Sequence, residues 1–151
     1  MKAIKVIAGI FIFVLAAIIA LYVIGAISND HTASATLKRI KEIPLPEETV
    51  LVDEISVAGK LVGNGNGVQY FGAIWIKSDL PLWQLEDYYS EFRKSEFDFI
   101  VEEQANQEIN VIEHGVYKFD AEKTDCRHYI VYSWGSSNDA LGFGYFDLRG
   151  N

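Results

Sequence analysis

The stretch GKLVGNGNGVQYFGAIWIK, Gly59 to Lys77, decides the fold, because its glycines fit two incompatible structures. If Gly63, Gly65 and Gly67 cradled a phosphate, the chain would be α/β, with a helix directly after the loop. A phosphate loop of that kind places a lysine and a hydroxyl residue after its glycines; Val68 and Gln69 stand there instead. The dinucleotide fingerprint fails as well, because Val68 follows Gly65 at the third position and Tyr70 follows Gly67. A β-branched and aromatic run comes next, so no helix N-terminus is offered to an anion. Asn64-Gly65 and Asn66-Gly67, in contrast, are dipeptides that tolerate the positive φ of a hairpin turn. The stretch therefore predicts two antiparallel strands.

In the second of these, Val68, Tyr70, Ile74 and Ile76 share one face, and Phe71, Ala73 and Trp75 share the other. Both faces are apolar, which predicts a strand covered on both sides. The run TVLVDEISVAGKLVG, Thr49 to Gly63, supplies its partner. After the hairpin, Ser78 or Asp79 is a candidate cap and Pro81 suits a first helical turn. Leu82, Leu85, Tyr89 and Phe92, with Tyr88 beside them, form an apolar stripe of helical period, ending near Arg93 and Lys94. Strand-like runs follow: FDFIVEE, INVIEHGVYKFD, RHYIVYSWG and GFGYFDLRG. The expected domain, residues 47–151, is α+β in two layers. One helix packs on an antiparallel sheet of about five or six strands in ββαβββ order.

Upstream, Val6 to Ile27 holds no charged residue over 22 positions. At 1.5 Å per residue this reaches about 33 Å, enough to cross a hydrocarbon core of about 30 Å. Lys2 and Lys5 before the run and Asp30 after it predict a cytoplasmic N-terminus (residues 1–5), a transmembrane helix (6–27) and an exported domain in the cell membrane. Ala33-Ser34-Ala35 resembles a signal-peptide cleavage site, but the apolar run exceeds the usual 7 to 15 residues of a signal peptide. Residues 28–46, polar and small, then basic, then carrying Pro44 and Pro46, read as a linker.

From Pro44 onward, eight Lys or Arg stand against nineteen Asp or Glu, a net charge of −11. Binding to nucleic acid relies on clustered cations that displace counterions, so that partner class is excluded.

The residues AGKLVGNGNGVQYFGAIWIKSDLPLWQLEDYY, about a fifth of the chain, resemble a recurring stretch in small membrane-anchored exported proteins of Gram-positive bacteria. The shared features are the asparagine-glycine turn, the strand ending in Lys77-Ser78-Asp79, and the helix ending in paired tyrosines. The resemblance implies a setting and a fold, and carries over no activity and no site residue.

Catalytic candidates are sparse. Asp125, Cys126 and His128 lie close in sequence; on a strand Cys126 and His128 share a face about 6.5 Å apart, with Arg127 near the thiol. TDCR echoes the sortase nucleophile motif, but His114 lies only twelve residues upstream of Cys126. His114, Cys126 and His128 lack the paired ligand spacings of structural zinc sites, and Ser136 to Asp139 lacks the alternating oxygen ligands of a calcium loop. Glu102 and Glu103 point to opposite faces of a strand and cannot act as an acid pair. No metal and no cofactor is expected.

The aromatics offer a binding function instead, because such side chains are enriched at interfaces. Trp83 falls off the helix stripe and is expected to be partly exposed; Tyr88 and Trp134 are further candidates. In the apolar run, Ala16 and Ala20 form a small-xxx-small pair on which another helix could pack. The expected function is a membrane-tethered binding or accessory module for a protein or envelope component, without catalysis. The alternatives are a small envelope enzyme using Cys126 with His128 or an acidic pair, and a structural subunit held by its anchor helix.

Overall fold

The computed structural model describes residues 2–94, 97–124, 126–135 and 146–150. It opens with a single helix, α1 (Lys2–Lys41), 40 residues and so about 60 Å long. Its first half is exposed on every side, and its most apolar 18-residue window is wholly unburied. This helix is long and apolar enough to cross a membrane.

The second half of α1 behaves differently. Gly25, Asn29, Ala33, Thr36 and Ile40, spaced by four, four, three and four, are buried. Residues 28–41, read above as linker, are therefore helix, and only the segment from Glu42 to Glu48 connects to the sheet. Glycine, asparagine, alanine and threonine on this stripe hide it from any search for periodic large apolar residues. Their small size has a function, because they let the helix lie close on the sheet. A Cβ added at Gly72 would stand 2.5 Å from the Leu37 nitrogen, and one at Gly135 would overlap the Thr36 hydroxyl.

The sheet comprises β1 (Thr49–Gly59), β2 (Gln69–Ser78), β3 (Ile100–Glu103) and β4 (His128–Gly135). Its order is β1-β2-β4-β3, with every neighbouring pair antiparallel. As its two apolar faces require, β2 is central. The hairpin from β1 to β2 forms, closing at Gly59 opposite Gln69, but through a loop over 60–68 in place of a two-residue turn. Positive φ falls at Gly63 and Gly67 and not at Gly65. The Gln69 amide braces this loop, accepting from the Leu61 and Val62 nitrogens and donating to the Val62 carbonyl.

One sheet face carries Ile74, Ile76, Tyr129 and Val131 beneath Ile40 from α1, Ile43 from the segment after it, and Leu85 and Tyr89 from α2 (Leu82–Ser90). Here α2 ends at Ser90, before the expected Arg93 and Lys94, and Ser78 caps the Leu80 nitrogen rather than the helix itself. The other face carries Phe71, Ala73, Trp75, Ile130 and Tyr132. It is covered by Ile109, Ile112 and Phe119, with Phe119 stacked on Trp75 at 5.2 Å.

This covering layer corrects two expectations. Among the described residues the sheet has four strands rather than five or six, and INVIEHGVYKFD is not one of them. It is tied by one isolated bridge, from Lys118 to Glu108 just before the run, and has a positive φ at Gly115. Ile109, Ile112 and Phe119 face inward to cover Trp75 while Val116 is exposed, so the spacing of the buried residues reflects burial, not pairing. A bulge in β1 between Leu51 and Asp53 turns Asp53 to the Trp75 side, where its carboxylate accepts from the Asp120 and Ala121 nitrogens and pins the layer. Of GFGYFDLRG, the described part is Phe146 to Gly150, ending in a 3-10 turn at Leu148–Gly150.

Candidate functional site

Because Ala33 packs beside Tyr70, Leu37 over Gly72, and Ile40 on Ile74 and Ile76, α1 and β2 advance in the same direction. The domain thus has a base, where the apolar half of α1 leaves it, and a far end that carries α2 and the start of β4.

Between the end of α1, the end of α2 and the approach to β3 lies a cleft of about 660 Å³. Phe92, Phe97 and Phe99 give it an aromatic floor, and Arg39, Glu42, Glu91, Arg93 and Lys94 ring it with charge. The Arg39 guanidinium lies 5.0 Å from the centre of the Phe97 ring, a cation–π distance. Arg93 is set by an ion pair with Asp98 at 2.7 Å and a hydrogen bond to the Phe99 carbonyl at 3.0 Å. Cationic edges over an aromatic floor suit a peptide-like segment that presents an acidic and an apolar side chain. None of these residues stood among the sequence candidates. The alternation of Phe97 and Phe99 was the available signal, but Arg39 lay in the presumed linker.

A smaller cleft of about 360 Å³ is lined by Glu103, Gln104, Lys123, Cys126, Arg127 and His128. The Cys126–His128 pair does not assemble as a thiol and its base. His128 is buried beside Trp75, with Nδ1 at 2.8 Å from the Cys126 carbonyl and Nε2 at 3.4 Å from the Thr124 hydroxyl. Arg127 donates to the Asp79 carbonyl. His114 is held 2.7 Å from the Gly63 carbonyl, at the other end of the domain. Among the described residues no group of three His, Cys, Asp or Glu side chains could hold a metal ion. Asp125 and Ser136 to Asp139 lie outside the described residues.

The aromatic candidates do not converge. Trp83 is 60% exposed on the outer side of α2, as its position off the stripe predicts. Tyr88 is half-buried and donates to the Pro44 carbonyl at 2.7 Å, which ties α2 to the segment after α1. Trp134 packs 5.0 Å from Phe71 on the opposite sheet face. Ala16 and Ala20 are exposed on the apolar half of α1.

At the base, a polar cluster clamps α1 to the end of the chain. Asn29 is buried; its amide donates to Asp147 at 2.8 Å and accepts from the Tyr70 hydroxyl at 2.7 Å. Arg149 chelates Asp147, pairs with Asp30 at 2.7 Å and reaches the Ala26 carbonyl at 3.0 Å. Burial alone would raise the Asp147 carboxyl, but hydrogen bonds from Arg149 and Asn29 outweigh it and hold it at about 2. The same bond to Asp147 holds the Arg149 guanidinium above its ordinary value.

No family model matches the chain, and neither the curated proteins nor the solved structures contain a match.

Proposed function

We propose that this is a membrane-tethered, extracytoplasmic binding module acting without catalysis, and that the cleft at Arg39, Arg93 and Phe97 holds a segment of a partner protein or an envelope component. The observation that carries this reading is the continuity of α1, apolar and unburied in its first half and part of the domain core in its second. A helix shared in this way fixes the cleft at a set height, since Arg39 stands about 18 Å along the axis beyond Ile27. Lys2 and Lys5 ahead of the apolar run support a cytoplasmic N-terminus. The resemblance to membrane-anchored exported proteins of Gram-positive bacteria supports the same setting.

The test is in-cell photocrosslinking from position 94, in the native chain and in one whose residues 3–20 are replaced by an unrelated apolar helix. A product formed by both chains and lost in Arg39→Glu supports the reading. A product from the native chain alone favours a structural subunit that packs through Ala16 and Ala20. Silence from both counts against a partner at this cleft.

One observation favours a second reading: Cys126 is half-buried and lines the smaller cleft. An envelope enzyme built on it would require His128 to leave the Cys126 carbonyl and the Thr124 hydroxyl. Loss of biological function in Cys126→Ser, with the fold intact, would favour this second reading.

A further inference from the structure

The apolar run and the domain overlap in height. Tyr22 lies inside the run, five residues and so about 7.5 Å before its end at Ile27. Yet Tyr22 already touches the domain, meeting Phe146 edge-on with ring centres 6.2 Å apart. Two residues further on, Leu148 is 65% exposed, and Phe146 itself is 39% exposed. Arg149 fixes this segment by its bond to the Ala26 carbonyl, also inside the run. A hydrocarbon core of about 30 Å takes up about twenty residues of helix. If it begins at Val6, it ends near Gly25, above Tyr22 and below Asp30.

We infer that Phe146 and Leu148 enter the outer interface of the bilayer, so that the domain rests on the lipid surface through a second contact besides the helix. The patch is continuous with the apolar face of α1 through the Tyr22–Phe146 contact, and a tyrosine such as Tyr22 is a side chain that bilayer interfaces favour. The contact is apolar rather than electrostatic. Arg149, next to Leu148 in the chain, is engaged by both Asp147 and Asp30, which leaves a net negative cluster beside the patch. Binding by phosphate attraction is therefore not expected, and the contact should be insensitive to salt and to anionic lipid.

This inference rests on the membrane reading of α1, and the experiment separates the two. In a Cys126→Ser background, single cysteines at Leu148→Cys, Phe13→Cys and Glu86→Cys carry an environment-sensitive fluorophore in the full chain, reconstituted into zwitterionic phosphatidylcholine vesicles. Lipids brominated either near the headgroup or deep in the chain serve as quenchers. The inference expects the label at 148 to be quenched at least twofold by shallow bromines and less by deep ones. It also expects the label at 13 to favour deep bromines and the label at 86 to be unaffected. Phe146→Cys repeats the test from the neighbouring position, and both labels should respond equally in low and high salt. If the label at 13 is quenched while those at 146 and 148 are not, the second contact is overturned and the helix reading survives. If the label at 13 also escapes quenching, both fall.

Discussion

Gly72 has backbone on the side where a Cβ would go, that of Thr36 and Leu37, and backbone cannot rotate aside. Gly72→Ala should therefore lower stability by about 1–3 kcal/mol, the usual cost of overpacking, as read from denaturant unfolding. Gly135→Ala should cost less, because the Thr36 hydroxyl that it would meet can turn away. Tyr89 presents the opposite case. Its hydroxyl is buried without a partner among the described residues, and burial first, then the neighbouring Tyr88, holds it well above its ordinary value. Tyr89→Phe removes an unsatisfied donor and should stabilise the domain by about 1 kcal/mol, visible as a higher Tm. Asp147 supplies a pH dependence. Its carboxyl is lower in the folded chain, at about 2, than the ordinary 3.8, so its contribution is complete above about pH 4 and lost as the pH falls toward 2. The contribution is about 2 kcal/mol, and Asp147→Asn should flatten that part of the stability profile. None of these residues announces its role in the sequence: a glycine in a strand, a tyrosine on a helix stripe and an acid near the C-terminus each have several common uses.

Among the elements, α1 departs furthest from the sequence expectation. Large apolar residues at regular spacing are how a helix declares a buried face, and residues 25–40 bury Gly25, Asn29, Ala33 and Thr36 instead. Cutting after Ala35 would take Asn29 and Ala33 out of the domain and leave the Tyr70 hydroxyl without its acceptor. A chain beginning at Leu21 should therefore unfold cooperatively, whereas one beginning at Thr36 should show no cooperative melt by circular dichroism. Equal melting of the two would return residues 28–35 to the status of linker. The elements that were legible are those whose pattern and partner agree: β2 with two apolar faces, the hairpin to β1, and α2 with Leu85 and Tyr89 on its stripe. INVIEHGVYKFD misled because a segment that covers a sheet has the same composition as one that joins it.

For the whole molecule, a continuous α1 makes the domain and its apolar rod one body rather than two joined by a flexible chain. Spin labels at Phe13→Cys and Asp87→Cys in a Cys126→Ser background should give a single narrow distance distribution by pulsed electron paramagnetic resonance. A broad distribution would show that the helix bends freely between them. The candidate cleft was illegible at this scale, because it joins Arg39 from α1 to Phe97 and Phe99 from the approach to β3. The sequence by itself determined the apolar helix, the acidic balance of the remainder, the antiparallel hairpin and the α+β class, since each depends on local composition or periodicity. Only the tertiary structure decided where α1 stops being exposed, which segment covers Trp75, and that Asn29, Asp147 and Arg149 meet. Those depend on close approach between residues more than 120 positions apart, and such contacts leave no periodic trace along the chain.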